Sequence, residues 1–479
     1  MRTSSNMILA TTIAAISTPP GKGGVAIIRI SGPSALEIGR KIFRPMSGKD
    51  ISEMGVRRQI YGRIFKSGSV IDDGMLTYFK APNSYTGEDT VEISCHGGML
   101  ISASVLESAF IEGAVPAERG EFTKRAFING RLSLSETEGI SMLLEASTEA
   151  QLRLSRPDSR SRLAEVIDSI RASLVALLSS VYARIDYPEE DLGELTDDEL
   201  MKGMNNIRVN IDRLLSTYST GKAVAEGIST VICGKPNVGK STLYNLLVGE
   251  NAAIVTDIPG TTRDLLEKSI SLGDVMLRLF DTAGIRENGS DAVENIGIMR
   301  SRERLAEAEL VFALFDSSRP LDTDDLDILN YIGAQKGRRI AVITKCDPDT
   351  EDTDSVSGRA EKIKAELAGY GFDKYIVISA EKAGDEALEM LRTAVGEMFL
   401  SGDISIGDDA IISTARQHAA LVRAENLMDT AVSALACGLP QDAVCSDLEL
   451  ALGAVGELDG RAVSEEVVSG IFANFCVGK

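Results

Sequence analysis

The sequence is poor in residues that bind transition metals. Its 479 residues include six cysteines and two histidines, and the cysteines form neither a CxxC pair nor another metal-binding spacing. This scarcity argues against a structural zinc site. The absence of a paired cysteine framework is typical of reduced thiols, and we expect a cytoplasmic protein.

Long apolar runs are also missing. No window approaches the roughly 18 consecutive apolar residues that a membrane-spanning helix requires. Near the start of the chain, the mildly apolar stretch from Met7 to Ile16 is interrupted by Thr11 and Thr12, and only Arg2 precedes it. A signal peptide is therefore not expected, and no membrane is expected among the partners.

Positive charge is scarce. The chain has 50 Lys and Arg against 71 Asp and Glu, which gives a formal net charge of −21. This balance argues against non-specific binding of nucleic acid, although a local basic patch can still hold an RNA. Arg153, Arg156, Arg160 and Arg162 form one candidate patch, but a solvated helix face broken at Pro157 is the favoured interpretation.

The segment 234–241 reads GKPNVGKS and matches the phosphate-loop pattern GxxxxGK[ST]. An apolar run at 230–233 precedes it and leucines at helical spacing follow it, so the segment joins a predicted strand to a predicted helix. In this context, backbone N–H groups and the helix N-terminus bind phosphates. We predict that Lys240 reaches the outer phosphates and that the Ser241 hydroxyl ligates Mg²⁺.

Two downstream motifs are typical of nucleotide switches. Thr262, in the segment GTTRD at 260–264, stands where a first switch is expected and is the predicted second Mg²⁺ ligand. An apolar strand then ends in DTAG at 281–284, where the glycine N–H senses the γ-phosphate in a second switch.

The base-contacting motifs predict a preference for guanine. The segment TKCD at 344–347 follows an apolar strand and is a variant of the NKxD guanine motif. Asp347 can accept hydrogen bonds from guanine N1–H and the 2-amino group, which adenine cannot match. Ser379 and Ala380 end a further apolar strand and form the last base-contacting loop.

Five such elements in order, each at the end of a strand, predict a GTPase. The predicted GTP-binding residues are Asn237, Val238, Gly239, Lys240, Ser241, Thr242, Thr256, Asp257, Ile258, Pro259, Gly260, Thr261, Thr262, Asp281, Thr282, Ala283, Gly284, Thr344, Lys345, Asp347, Ser379 and Ala380.

The expected fold class is multidomain. Residues 1–129 mix strand and helix patterns, which predicts an α+β domain. Residues 130–227 and 401–479 show helical periodicity on either side of a Ras-like α/β GTPase domain at 228–400, and we expect them to form one discontinuous all-α domain. The segments predicted in the first domain are strands at 25–30, 75–79 and 90–94 and a helix at 99–111.

Both ends of the chain carry distinctive motifs. They are TIAA (12–15), TPPGKGG (18–24), RISG (29–32), YTGED (85–89), HGG (96–98), GEFTKRAF (120–127), IFANF (471–475) and CVGK (476–479). With these motifs the chain resembles the MnmE (TrmE) family of tRNA-modification GTPases, of the TrmE-Era-EngA type, over essentially its whole length. The GTPase motifs alone would not single out this family.

The resemblance implies an N-terminal domain that binds a tetrahydrofolate derivative, in the 5,10-methylene or 5-formyl form, and that mediates homodimerisation. It also implies a heterotetramer with the FAD-dependent protein MnmG (GidA). Together such proteins add an aminomethyl or carboxymethylaminomethyl group to C5 of the wobble uridine of certain tRNAs, with the one-carbon unit supplied by the folate.

The residues that match the family's folate contacts are Arg29, Glu92, Arg131 and Lys479. The family commonly has lysine where this chain has Arg131, so the charge is kept but the geometry is not. Taken one at a time, Arg29 and Glu92 are also compatible with ordinary strand residues whose charge is solvated or paired.

Hydrolysis requires a group that orients the attacking water. Ras-like GTPases carry a glutamine directly after DTAG, but this chain has Ile285 there. Glu294 matches the family's water-orienting glutamate, and we predict it as a catalytic residue with Lys240. The alternative for Glu294 is an exposed carboxylate at a helix start.

The resemblance further implies a bound K⁺ that stabilises charge on the transferring phosphoryl group. Asn237 matches the family's potassium-coordinating asparagine, and Thr256, Ile258 and Thr261 complete the implied site. The family usually has alanine at Pro259, and proline fixes φ and can stiffen this loop.

Two other functions are compatible with parts of the sequence. An Era-type ribosome-assembly GTPase would act as a switch without tRNA chemistry, and its GTPase motifs would look the same. A folate-binding protein with a degenerate GTPase is disfavoured, because Lys240, Ser241, Thr262 and Asp281 are intact.

The C-terminal tail is expected to have a fixed place. Phe472 and Phe475 are predicted to be buried in the helical domain and so to hold the tail CVGK, which is proposed to complete the folate site within the chain or across the dimer. Cys476 is not assigned as a nucleophile, because nothing near it in sequence marks a lowered pKa.

Overall fold

The structure is a computed structural model that describes residues 11–186, 196–251, 267–280, 307–333, 335–345, 353–378, 384–400, 402–460, 468, 470–472, 475 and 478. The chain divides into two compact units, Met1–Ser141 with Leu452–Lys479 and Met142–Ala451. The first unit therefore combines the start of the chain with its end.

A mixed sheet forms the centre of the first unit. The elements there are β1 (Ile13–Ile16), β2 (Val25–Ser31), α1 (Ala35–Ile42), β3 (Phe43–Pro45), β4 (Gln59–Lys66), β5 (Ser69–Phe79), β6 (Thr90–His96), α2 (Met99–Ile111), β7 (Val115–Pro116), α3 (Glu121–Ile128) and α4 (Leu134–Glu145), whose last residues belong to the second unit. The seven described strands are ordered β3-β4-β5-β6-β2-β1-β7. Their pairings are antiparallel except for that of β1 with β7.

Helices α1 and α2 contribute to a core on one face of this sheet. Alternate residues of β2, namely Ala26, Ile28 and Ile30, are buried in that core with Ile38 of α1 and Val105 of α2. This alternation is what a strand with one covered face requires. The predicted α+β class is confirmed, and β2, β5, β6 and α2 contain the segments predicted as strands and helix.

Helix α3 contributes a fully buried arginine. The Arg125 side chain is 0% exposed, and its guanidinium donates to Glu121 at 2.8 Å, to the carbonyl oxygen of Thr11 at 2.7 Å and to both carboxylate oxygens of Glu88 at 3.2 Å. Glu88 also accepts a hydrogen bond from the Ser31 hydroxyl at 2.8 Å. The motifs YTGED and GEFTKRAF, which are separate in sequence, therefore meet in one buried network.

Phe472 and Phe475 are buried, as predicted, and their ring centroids lie 5.6 Å apart. They pack in the first unit with Leu134 and with Phe127, whose ring centroid is 6.4 Å from that of Phe472. Because Phe127 belongs to α3, the aromatic pair packs on the α+β domain as well, whereas the sequence predicts burial in the helical domain. Gly120 permits this packing, since a Cβ there would lie 2.8 Å from the Phe472 carbonyl oxygen.

Along the chain, the second unit begins and ends with helices, and the strands between them form a mostly parallel sheet. Its elements are α5 (Glu149–Leu154), α6 (Pro157–Asp186), α7 (Asp197–Ser216), α8 (Tyr218–Ala225), β8 (Ile228–Cys233), α9 (Lys240–Asn251), β9 (Glu267–Leu272), β10 (Val275–Phe280), β11 (Leu310–Asp316), α10 (Thr323–Gly333), β12 (Arg338–Thr344), α11 (Thr353–Leu367), β13 (Lys374–Val377), α12 (Gly384–Phe399), α13 (Ala415–Ala436) and α14 (Gln441–Asp459), which crosses into the first unit.

The described strands of this sheet are ordered β13-β12-β11-β8-β10-β9, and only β9 runs antiparallel to its neighbour. All of β11 is buried, with Phe312 in one hydrophobic cluster and Phe315 in another, because both faces of the sheet are covered. In such a sheet, ligands bind in the crevice outside the carboxyl ends of the strands. The predicted multidomain class, with an α/β GTPase domain inserted between helical segments, is confirmed.

The arginine-rich segment is interrupted where the sequence predicts. Helix α5 ends at Leu154 and α6 begins at Pro157, the residue that fits a first helical position best. Arg153, Arg156 and Arg162 form ion pairs with Asp274 at 2.8 Å, Glu149 at 3.3 Å and Asp408 at 3.5 Å, respectively. These carboxylates favour the structural interpretation of the segment over an RNA-binding patch.

Helix α6 is the one helix, among the described residues, that is long and apolar enough by length and composition to cross a membrane, over Pro157–Ile185. Core helices of soluble proteins meet the same criterion. Its buried residues Leu163, Ile170 and Leu174 recur at helical spacing, as expected of a helix with one packed face.

Candidate functional site

The phosphate loop follows β8 and leads into α9, as the sequence predicts. Gly234 and Gly239 adopt φ values of 144° and 101°, and Asn237 adopts 60°. A Cβ at Gly234 would lie 2.7 Å from the carbonyl oxygen of Leu314 in β11, so only glycine fits the start of the loop. The sequence pattern therefore corresponds to a real backbone constraint.

Lys240 is folded back onto this loop. Its ammonium donates hydrogen bonds to the carbonyl oxygens of Gly234 at 2.7 Å and Lys235 at 2.6 Å. Burial lowers the pKa of Lys240, because removing the ammonium from water disfavours its charged form. Ser241 and Thr242 are exposed at the first turn of α9, where a ligand can reach them.

Thr344 joins the guanine motif to the phosphate loop. Its side-chain oxygen lies 2.7 Å from the Val238 carbonyl oxygen and 3.1 Å from the Phe315 carbonyl oxygen, and the residue is 4% exposed. A hydroxyl has one proton, so it can donate to only one of these carbonyls at a time. The asparagine of an NKxD motif would bring two N–H donors to the same place.

We predict that Thr344→Asn raises the affinity for GTP by about fivefold, the equivalent of roughly 1 kcal/mol for one added hydrogen bond. Thr344→Val is the matched control: it keeps the shape but leaves the Val238 carbonyl without this donor, and it should weaken binding. Titration with a fluorescent GTP analogue measures both variants. Affinities equal to wild type for both would show that Thr344 does not support the nucleotide site.

Asp316, which the sequence did not single out, holds the lysine of the guanine motif. Lys345 has a φ of 58° and its ammonium lies 2.7 Å from the Asp316 carboxylate, which is at the carboxyl end of β11. Burial would raise the pKa of Asp316, but hydrogen bonds from Lys345 and Ser318 outweigh it and the net shift is downward. The only sequence signal was an acidic residue ending a buried strand.

Lys235 has a structural role within the phosphate loop. It is 7% exposed, and its ammonium is bound by the carboxylates of Asp322 and Asp325, the latter at 3.3 Å. These carboxylates lie at the start of α10 and fix the first part of the loop. The two lysines of the loop thus differ: Lys235 is paired with carboxylates, whereas Lys240 contacts carbonyl oxygens.

Many predicted nucleotide-site residues lie outside the described residues, including the second Mg²⁺ ligand and three of the four K⁺ ligands. They are Thr256, Asp257, Ile258, Pro259, Gly260, Thr261, Thr262, Asp281, Thr282, Ala283, Gly284, Glu294, Asp347, Ser379 and Ala380. Lys479 and Cys476 of the tail also lie outside them.

The structure brings two predicted folate ligands together. Arg29 of β2 and Glu92 of β6 are register partners, and Arg29 Nε lies 2.8 Å from Glu92 Oε1. Their side chains are 18% and 25% exposed, so a ligand can reach both. The guanidinium of Arg29 lies 5.3 Å from the ring centroid of Tyr85 and 5.6 Å from that of Phe122.

The described residue of the tail lies against β1 of the same chain. Gly478 accepts a hydrogen bond from the Ser17 hydroxyl at 3.1 Å, and its φ is 96°. A Cβ on Gly478 would lie 2.3 Å from the Ile16 carbonyl oxygen, so glycine is required there. Because Ile16 pairs with Ile28, Gly478 lies against the strand next to the one that carries Arg29.

Arg131 is exposed and is not joined to the Arg29–Glu92 pair by a described contact. Its Cγ would lie 3.2 Å from a Cβ added to Gly87 in the YTGED motif. Arg131 thus borders the loop that carries Tyr85, on the same unit as the other candidate folate residues.

Comparison with known proteins gives consistent matches along the chain. The family described as GTP-binding protein TrmE N-terminus matches residues 12–131, and the MnmE helical domain matches residues 134–476. The tRNA modification GTPase MnmE of Clostridioides difficile is 38% identical over 477 residues, covering 99% of this chain and 100% of that protein. The MnmE of Carboxydothermus hydrogenoformans is 39% identical over 470 residues, covering 98% of this chain and 99% of that protein.

Among solved structures, a variant of Era from Aquifex aeolicus bound to GDP and aluminium fluoride is 26% identical, covering 42% of this chain and 66% of that one. Its TM-score is 0.29, and at that value the likeness supports no conclusion.

Proposed function

This chain belongs to the MnmE family of tRNA modification GTPases, and we propose that it modifies C5 of the wobble uridine with a one-carbon unit from a tetrahydrofolate derivative. The proposed product is an aminomethyl or carboxymethylaminomethyl group, made with the FAD-dependent partner MnmG. The relatives do not favour the alternative of an Era-like switch without tRNA chemistry.

The Arg29–Glu92 pair is the observation that carries the folate part of the proposal. A pterin needs an acidic acceptor for its N–H edge, and the glutamate portion of a folate needs cations. Glu92 supplies the acceptor for the pterin edge, Arg29 holds that carboxylate in place, and both remain partly exposed. The donor set therefore fits the ligand, with Arg131 and Lys479 as the further cations proposed.

For GTP hydrolysis, we assign Lys240 to the outer phosphates, Ser241 and Thr262 to Mg²⁺, and Asp347 to guanine. The contacts of Lys240 with two loop carbonyls support this role, because its ammonium already lies in the concavity of the loop. Glu294 is proposed to orient the attacking water.

A K⁺ site is proposed at Asn237 with Thr256, Ile258 and Thr261. GTP turnover should then rise about tenfold or more when KCl replaces NaCl at equal ionic strength, since the cation would stabilise transition-state charge. Asn237→Gly is the appropriate variant, because glycine tolerates the φ of 60° and only the side chain is lost. Equal turnover in the two salts, or an unchanged potassium effect in Asn237→Gly, would remove the site.

The proposed assembly is a homodimer formed through the N-terminal domain, joined by MnmG in a heterotetramer in the cytoplasm. We propose domain boundaries at 1–129, 130–227, 228–400 and 401–479. The folate site on the first unit and the nucleotide site on the second are then separate sites of one protein.

Deleting residues 476–479 tests the folate proposal. The truncated protein should bind 5-formyl-tetrahydrofolate at least about tenfold more weakly, since it loses both the docked Gly478 and the proposed ligand Lys479. GTP turnover should stay within about twofold of wild type, because the tail and the phosphate loop lie in different units.

Gly478→Ala is the matched variant, because it keeps every charge of the tail but places a Cβ 2.3 Å from the Ile16 carbonyl oxygen. It should weaken folate binding in the same direction as the deletion. If the truncated protein binds the folate as tightly as wild type, the tail only contributes packing.

A further inference from the structure

The guanidinium of Arg29 is enclosed by two aromatic rings as well as by its carboxylate partner. The distances from its central carbon are 5.3 Å to the Tyr85 centroid and 5.6 Å to the Phe122 centroid. Both lie within the roughly 6 Å at which a cation is attracted by the face of a ring. Glu92 holds the Nε edge of the same guanidinium at 2.8 Å.

Both rings are themselves fixed by their surroundings. Phe122 is 0% exposed and belongs to a small core with Ile13 and Ala15. The Tyr85 hydroxyl lies 2.9 Å from the hydroxyl of Thr123, which is also 0% exposed. Packing and the hydroxyl contact leave these rings little freedom to move, so they can fix the position of the guanidinium beside them.

The elements that carry the rings are tied together. Tyr85 lies in the YTGED motif and Phe122 lies in GEFTKRAF, and the buried pair of Arg125 with Glu88 joins these motifs. Asn129, which follows the second motif at the end of α3, adds a further tie, because its side-chain amide donates to the Thr86 carbonyl oxygen at 2.7 Å. Each of the two motifs thus contributes one ring that contacts Arg29.

We propose that Tyr85 and Phe122 are positioning residues that hold the Arg29 guanidinium in the orientation that receives the folate. This inference rests on the proposed function, since it concerns the same ligand. An arginine side chain has considerable rotamer freedom, and fixing it before binding reduces the entropy lost when the ligand arrives. The role gives a function to the rings that these two motifs bring to Arg29.

The test uses the full-length chain and the equilibrium affinity for 5-formyl-tetrahydrofolate, measured by isothermal titration calorimetry. Tyr85→Leu removes the ring and should raise the Kd by about five- to thirtyfold, the range that one cation–π contact represents. Tyr85→Phe keeps the ring and loses only the hydroxyl, and its Kd should stay within about threefold of wild type. Thermal unfolding of each variant checks that the protein is folded, and unchanged GTP turnover checks that the effect is confined to the first unit.

A double-mutant cycle with Arg29→Met separates positioning from a structural role. If Tyr85 acts through Arg29, Tyr85→Leu should add little to the loss already caused by Arg29→Met. If Tyr85→Leu weakens folate binding equally with Arg29 and with Met at position 29, or does not weaken it at all, the positioning role is overturned and the proposed function is unaffected. A wild-type protein that does not bind the folate would overturn the proposed function and this inference together.

Discussion

Lys240→Ala is expected to reduce GTP turnover by about 10²–10³-fold, the loss typical of removing one donor that stabilises transition-state charge. The lysine follows Gly239 of a loop whose backbone conformation is set by glycine, and its ammonium reaches the carbonyl oxygens of Gly234 and Lys235. Phosphate oxygens would replace these carbonyls as its partners when GTP is bound. Initial rates of phosphate release at saturating GTP measure the effect.

Lys235→Met is the control for this substitution. It removes the same charge from the same loop, but Lys235 is bound by Asp322 and Asp325 and is not assigned to the nucleotide. We expect a loss of stability, since Asp325 is 4% exposed and would lack a cation, with turnover per folded molecule within about tenfold of wild type. Similar losses of turnover in both variants would mean that Lys240 acts only by shaping the loop.

Arg125→Met should destabilise the first unit by about 3–5 kcal/mol, as expected when one partner of a buried ion pair is removed. Methionine fills much of the space but leaves Glu88 and Glu121, whose side chains are 11% and 13% exposed, without their shared cation. Hydrogen exchange in the full-length chain, followed by mass spectrometry, should therefore show faster exchange in peptides that contain β2 and β6.

Arg40→Met provides the comparison for Arg125. Arg40 pairs with Asp50 at 2.8 Å in the same unit, but the two side chains are 42% and 41% exposed. An exposed pair of this kind contributes at most about 1 kcal/mol, so exchange of the same peptides should change little. If Arg125→Met also leaves exchange unchanged, the buried network is not what holds the YTGED and GEFTKRAF motifs together.

The parts that were predictable from sequence are those set by local constraints. The phosphate loop could be predicted because its conformation requires glycine at two positions of positive φ, Gly234 and Gly239, and its function requires a lysine at the helix start. These requirements appear in the sequence as residues at a fixed spacing. The strands β2 and β6 were predictable because they are short segments rich in β-branched residues.

Contacts between distant segments were not predictable from residue patterns. Nothing near Arg125 in sequence indicates that it is buried with Glu88, because long-range pairing depends on how α3 packs. Asp316 and Lys345 are separated in the same way by a helix and a strand. The family resemblance supplied Arg29 and Glu92 as folate ligands, but their contact with each other and with the rings of Tyr85 and Phe122 required the structure.

We propose that modification of the wobble uridine by this chain requires its GTP hydrolysis. The most direct measurement is mass spectrometry of tRNA nucleosides from a bacterial strain that lacks its own MnmE-family gene and expresses either the wild-type chain or Lys240→Ala at equal levels. The wild-type chain should restore uridine with an aminomethyl or carboxymethylaminomethyl group at C5, and Lys240→Ala should not. Absence of that nucleoside with the wild-type chain, or its full restoration by Lys240→Ala, would contradict the claim.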